Sequence, residues 1–487
     1  MPSFKADNSA DYGLYGKALF HISQMDKLRE DTKEFPQDIE YRKNILKNIG
    51  LTPEDQYKIR SIIGPQELKS IMSEFNEDEL NYTSGEDLEN VFNYGIRANL
   101  HMHTVASDGS LSAKELLEKA TRYADDSVRN NPNAKKVPFV VAITDHDTLE
   151  SSQEVIRTIY ENPMKYRNLR VVLGIEVTTY NNIATDLVNK PTNTHVLVYG
   201  VDPNEKTFQS FVNGIKSKKL DMEVSAMETA NKTYQKYYGK DDFFNLPQAK
   251  AQFNQLNKNI TGIYNNLDMY FRNKIAVEHI ILKNDKIKNK LQKYNMPTTT
   301  DEFMDKFSEF KFVLDRNNKV YPPEVTLPEF ISNCTDMNKE EVAKIVSDGL
   351  KEEKVAQLTK ELKSNISQYK VTLNHQCEYM PTFETLYDGL KDQNQVIIGL
   401  AHPLDTTAHV KDKGDKYKFL EDLYSKFTNS CKEKAAFSEV YYQSYTGDSK
   451  SFKADSDTKQ FMNEISQKYN LFKTGSQDTH SRNIFKR

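Results

Sequence analysis

The sequence predicts an α/β fold built as a βα barrel, and three observations predict it. Seven short apolar runs, rich in Val, Ile, Leu or aromatics, appear from residue 96 onward. Amphipathic stretches follow several of them, and ionisable residues recur where the runs end. Strands alternating with helices favour parallel neighbours, and seven strands favour a closed barrel over an open sheet.

Taken in order, residues 1–95 read as a charged, helical N-terminal extension without a catalytic motif. Leu46, Ile49, Ile59, Ile62, Ile63, Leu68 and Ile71 are embedded there among Lys and Glu. Thr52-Pro53-Glu54-Asp55 has the make-up of a helix start, with a capping Thr, Pro in the first turn and acids at the positive end of the dipole. Residues 96–204 form the first part of the barrel, with strands expected over Ala98–His103, Pro138–Thr144, Val171–Val177 and His195–Val201. Ser112 to Glu115 and Ser151 to Glu154 have the S-x-x-E spacing of a capping box, so a helix should start at each. Residues 205–392 interrupt the alternation. They are dominated by Lys, Asn, Asp and Glu, with helical runs over Phe211–Tyr238, Asp301–Phe312 and Glu340–Lys363 and a cluster of Pro322, Pro323 and Pro328. This is a mainly helical insertion carried between two strands. Residues 393–487 complete the barrel with Val396–His402, Phe437–Tyr442 and Leu471–Ser476.

Composition narrows the function. Lys and Arg number 66 against 70 Asp and Glu, a net charge of −4, so the chain has no global basic footprint for nucleic acid or an anionic membrane. The run Lys283, Lys286, Lys288, Lys290 and Lys293 could touch a polyanion, although such runs are commonly solvated helix faces. The three cysteines, Cys334, Cys377 and Cys431, are too few and too far apart for a disulfide framework and fit a reducing compartment. The opening Met-Pro-Ser-Phe-Lys-Ala-Asp lacks an apolar signal core, and no uncharged apolar run approaches the roughly 18 residues of a membrane span. The chain therefore reads as soluble and cytoplasmic, with no membrane partner.

The histidines carry the chemistry. His101 and His103 close the first strand two residues apart, on one face, where both imidazoles can meet one ion. Asp108 follows in the polar turn Ser107-Asp108-Gly109, and the second strand ends in Thr144-Asp145-His146-Asp147-Thr148. Glu176 follows an apolar run in the third strand, His402 closes the fifth, and Asp478-Thr479-His480 repeats the two-residue spacing. His195 stands apart, because it opens its run instead of closing it. In a parallel βα barrel the loops beyond the strand ends share the face where active sites form. Six His and three Asp/Glu there would supply nitrogen and oxygen ligands for several divalent ions.

In this order, His101-Met102-His103-Thr104, Ser107-Asp108-Gly109, Ile143 to Thr148, Gly174-Ile175-Glu176-Val177, His195, Ala401-His402-Pro403, Glu439-Val440-Tyr441-Tyr442 and Gly475-Ser476-Gln477-Asp478-Thr479-His480 resemble the PHP (polymerase and histidinol phosphatase) superfamily, and within it the small metal-dependent phosphoesterases. The resemblance covers residues 96–203 and 394–485. It implies a distorted seven-stranded βα barrel with a trinuclear centre of Mn, Zn or Fe. Carried over, the first ion would take His101, His103 and Asp478, with Glu176 bridging to a second held by His195 and His402. A third would take Asp108, His146 and His480. Asp145 and Thr144 would orient His146 by hydrogen bonds, and Glu439 would play a supporting part. Departures are the extra Gln477, Leu404-Asp405 where many relatives have a basic residue after Ala-His-Pro, and the long insertion, from which Arg272 is the candidate to reach substrate.

The function this resemblance implies is hydrolysis of a small phosphorylated substrate, a phosphomonoester such as a nucleotide bisphosphate or a short oligonucleotide. The attacking group would be a hydroxide bridging two metals, since a metal-bound water ionises near about pH 7. No protein nucleophile is required. A nucleic-acid-processing or interaction subunit built on a PHP barrel, and a histidinol-phosphatase-like enzyme, are the alternatives.

Overall fold

The structure, a computed structural model, describes residues 35–75, 97–107, 109, 111–130, 139–188, 191–240, 243, 267–307, 326–375, 380–393, 395–407, 410–442, 456–476 and 478. After a short strand β1 (Ile62–Ile63), seven strands neighbour one another in chain order: β2 (Ala98–Asn99), β3 (Phe139–Ile143), β4 (Leu169–Asn181), β5 (Thr192–Tyr199), β6 (Ile397–Leu400), β7 (Ala435–Tyr442) and β8 (Phe472–Ser476). Each apolar run read from the sequence supplies one of the seven. The Leu100 amide reaches Gly475 O at 3.4 Å, drawing the chain after β2 against β8, so the sheet is a nearly closed, distorted βα barrel.

Alternation of side chains sorts the barrel into two layers. Val171, Leu173, Ile175, Val196 and Val198 belong to the outer core beneath the helices, whereas Val172, Leu197, Tyr199 and Phe437 fill the interior. The Phe437 and Tyr199 rings stack 4.5 Å apart at an interplanar angle of 4°. A Cβ added at Gly399 would come within 2.2 Å of the Phe437 ring, so only glycine fits opposite that stack.

The expectation of parallel neighbours fails at one strand. β5 runs antiparallel to both β4 and β6, while β2–β3, β3–β4, β6–β7 and β7–β8 are parallel. The connection through residues 182–191 is too short for the crossover of about a dozen residues or more that a parallel pair needs. β5 pairs with β4 from Gly174 onward, and β1 occupies the earlier edge of β4, with Ile62 opposite Val171.

Residues 36–72 thus give the barrel a strand and part of its outer layer. Helix α1 (Pro36–Asn48) buries Tyr41, Ile45 and Leu46 in the outer core, and the Tyr41 hydroxyl donates to Val201 O at 2.7 Å. The Thr52 turn does open a helix, but a 3-10 helix (Pro53–Ile59) without a side-chain cap. After it comes helix α2 (Pro65–Met72). The Ser112–Glu115 box closes reciprocally in front of helix α3 (Ala113–Asn130): Ser112 N donates to Glu115 Oε2 at 2.9 Å and Glu115 N to Ser112 Oγ at 3.2 Å. The second box does not form. Helix α4 (Glu150–Glu161) begins one residue before Ser151, because buried Leu149 takes the N-cap position.

The insertion is rooted in the barrel by Phe208, Val212 and Ile215 at the start of helix α5 (Lys206–Tyr238). Beyond that, apolar side chains gather in two clusters of their own, one around Tyr234, Phe271 and Leu358, the other around Ile287, Phe303 and Phe330. The run over Glu340–Lys363 divides into Lys339–Gly349 and Glu353–His375, and Phe383, Leu386 and Leu390 return to the barrel core. Among the described residues no helix is long and apolar enough to cross a membrane.

Candidate metal centre

The same alternation aims the site residues. With Val171, Leu173, Ile175 and Val177 facing the helices, Glu176 faces inward. With Val196 and Val198 outward, His195 faces inward as well. Because β5 is reversed, its first residues lie at the barrel end where the parallel strands finish, and Thr178 stands opposite His195. That is how a histidine opening its run joins residues that close theirs. After β2, Met102 packs into the outer core, and the flanking His101 and His103 are fully buried on the inner side. His146 pairs with Glu176 in an isolated bridge after β3. His402 follows β6 with φ 27°, and Asp478 follows β8 with φ 46°. Both occupy a left-handed region that non-glycine residues visit uncommonly, a local strain of about 1 kcal/mol or more each.

Five imidazoles surround the Glu176 carboxylate. Oε2 lies 3.1 Å from His101 Nε2, 3.3 Å from His103 Nε2 and 3.0 Å from His146 Nδ1. Oε1 lies 2.9 Å from His195 Nδ1 and 3.2 Å from His402 Nε2. The rings form a closed circuit, with centroids 5.0 Å apart for His101–His103, 4.5 Å for His103–His146, 5.1 Å for His146–His195, 5.1 Å for His195–His402 and 5.7 Å for His402–His101. Asp478 Oδ1 approaches His101 and His103 Nε2 at 3.4 and 3.3 Å.

This donor set fits divalent metals. Two ligand atoms each about 2.1 Å from one ion are about 3.0 to 3.4 Å apart in octahedral or tetrahedral geometry, the separation found around Glu176 and Asp478. Three groups have ligand atoms close enough to share an ion: His101, His103 and Asp478; His101, Glu176 and His402; His103, His146 and Glu176. The electrostatics agree. Burial opposes ionisation of Glu176, yet His146, His101 and His195 hold it well below the usual carboxylate range. Burial likewise opposes protonation of His402, but its hydrogen bond to Glu176 and the Asp478 charge lift it to about 9. His101 is pushed well above its ordinary value against burial by Glu176, Asp478 and Glu439, whereas burial lowers His195. Without a metal the cluster must hold buried protons to balance its acids; a divalent cation performs that balance directly.

Asp108 and His480 lie outside the described residues, as does Cys377. Arg272 is exposed on the helix Leu267–Ala276, beside Phe271 and Ile275 in the insertion's own core. The expected role of Asp145 changes. Its carboxylate accepts from Thr104 N at 2.6 Å, Thr104 Oγ1 at 2.7 Å and Ser107 Oγ at 2.5 Å, so it clamps the turn after His103 instead of orienting His146. The neighbouring Asp147 accepts from Thr178 N and Oγ1 at 3.0 and 2.9 Å and pins the end of β4. Thr144 is buried beside it in the same segment. Sequence reasoning missed Asp147 and Ser107, although both stand inside the quoted motifs. Asp405, at the position where relatives carry a basic residue, has its carboxylate 3.8 Å from His402 Nδ1.

No family model matches the chain, and no curated protein matches it. Similar solved structures include an amidohydrolase from Chromobacterium violaceum with bound sulfate and no metal, at 14% identity, 79% coverage of this chain, 88% of that one and a TM-score of 0.37. Another, from Bifidobacterium adolescentis and provisionally designated a metal-dependent phosphoesterase, has 15% identity, 80% and 88% coverage and a TM-score of 0.36.

Proposed function

We propose that the chain is a metal-dependent phosphoesterase that hydrolyses a phosphomonoester, with nucleotide bisphosphates and short oligonucleotides as the first substrates to test. The observation that supports this reading is the buried Glu176 carboxylate with both oxygens facing a circuit of five imidazoles. His101, His103 and Asp478 would hold one ion, Glu176 would bridge to another held with His195 and His402, and His146 would serve a third together with Asp108 and His480. Divalent Mn, Zn or Fe would supply Lewis acidity toward phosphoryl oxygens and lower the pKa of water.

The chain's own residues do the rest. Asp145 and Asp147 fix the turns that present His103, His146 and Glu176, and the stacked Tyr199 and Phe437 fill the barrel interior and exclude water there. Arg272 is the candidate to meet the substrate from the insertion. The nucleic-acid alternative leaned on the lysine run; there Lys286 pairs with Glu341, and Lys290 and Lys293 share Asp336, so two carboxylates offset two of its five charges.

Elemental analysis, combined with phosphate release from 3′,5′-bisphosphates and small monoesters, tests the reading. About two or three metals per chain with monoester turnover is the expected result. A chain that takes up no metal after reconstitution with manganese or zinc overturns it.

A further inference from the structure

Behind the ring of histidines lies a second buried carboxylate. Glu439, on the inner face of β7, is completely buried, and both its oxygens are 3.3 Å from Nδ1 of His101. Oε2 also accepts the backbone N–H of His402 at 2.7 Å, and Oε1 accepts the Ser476 hydroxyl. One carboxylate thereby gathers the ends of β2, β6 and β8. β2 and β6 are not neighbours in the sheet, so no backbone ladder joins His101 to His402.

We propose that Glu439 is the positioning residue of the metal centre, fixing the His101 tautomer and tying the His101 and His402 ligands into one unit; this rests on the metal-binding reading above. A carboxylate only accepts hydrogen bonds, so Glu439 keeps a proton on His101 Nδ1, and Nε2, on the side of Glu176 and Asp478, is the nitrogen that would give up its proton and offer a lone pair to an ion there. The negative charge behind the ring strengthens Nε2 as a ligand and holds the imidazole plane. The bond to the His402 amide does the same for a residue whose left-handed backbone would otherwise relax and carry its imidazole away from Glu176. Ser476 sets the rotation of the carboxylate itself.

Glu439→Gln separates charge from shape. The amide oxygen can still serve the His402 N–H, and the Ser476 hydroxyl can turn to accept from the new NH2 group. Metal-free protein is titrated with Mn2+ alone by calorimetry, and the Co2+-loaded protein is followed by its visible absorption. The expected result is about a 10- to 100-fold loss of Mn2+ affinity for E439Q and a changed Co2+ spectrum, with circular dichroism unchanged. Affinity within twofold of wild type and an identical spectrum would overturn the proposal while leaving the metal centre standing. A wild-type chain that binds no metal removes the centre and the proposal together. If E439Q does not fold, Ser476→Ala decides: about two- to tenfold weaker Mn2+ binding supports the role, and unchanged binding refutes it.

Discussion

Replacing Glu176 by Gln is the sharpest test of the site. The change keeps the shape of a fully buried side chain, removes its charge and places an NH2 group on one side of the imidazole ring. That group must face either His101, His103 and His146 or His195 and His402, so a donor stands where a ligand oxygen was. Two unit charges about 4 Å apart are worth about 4 kcal/mol at an effective dielectric of 20, and a divalent ion doubles this. If half of the doubled value offsets desolvation of the carboxylate, about 4 kcal/mol remains, or about a 10³-fold loss of affinity. Thermal or urea unfolding with and without metal reads this directly. At a metal concentration about 1,000 times the wild-type Kd, wild type should gain about 4 kcal/mol, while E176Q, with its Kd raised to that concentration, should gain about 0.4 kcal/mol. An E176Q protein that binds metal within tenfold of wild type would refute the claim that Glu176 organises the centre.

Three further outcomes follow from the geometry. Gly399→Ala drives a methyl group into the Phe437 ring, which Tyr199 prevents from retreating; unfolding should show a loss of at least about 2 kcal/mol, and wild-type stability would mean that the interior is loosely packed. Asp145→Ala leaves the Thr104 amide without its buried acceptor, so about 3 kcal/mol of stability should go and the turn through Ser107 should become the first site of limited proteolysis; unchanged cleavage would contradict the clamp. The third concerns His279, in the π-helical turn Val277–Ile281, which faces Tyr234 Oη at 2.8 Å and Lys283 Nζ at 3.2 Å. Burial, with Lys283, Lys354 and Lys240, pushes it down from 6.5 to about 4. Its folded value lies below its unfolded one, so the native state excludes the proton: this contribution is complete above about pH 6.5 and falls as pH drops toward 4, by at most about 3 kcal/mol. His279→Asn should flatten that part of the stability profile, and an unaltered slope would assign the acid sensitivity elsewhere.

What the sequence determined by itself is what local chemistry encodes. Short apolar runs mark all seven barrel strands, and the His101–His103 spacing places both imidazoles on one face, because side-chain direction has a period of two along an extended chain. The Ser112–Glu115 box could be read for the same reason: its partners are three residues apart. Tertiary structure decided what depends on distant partners. His195 looked misplaced until pairing with β4 and β6 turned β5 around, and a strand's direction is set by its neighbours and its connection, not by its own residues. Asp145 was legible as a motif residue, but whether its carboxylate would serve His146 or Thr104 depended on how two loops pack. Ile62 and Ile63 resembled the apolar face of a helix until the free edge of β4 made them a strand. The circuit of imidazoles around Glu176 draws on segments from residue 101 to residue 402, and only closure of the barrel brings them within 3.3 Å of one carboxylate.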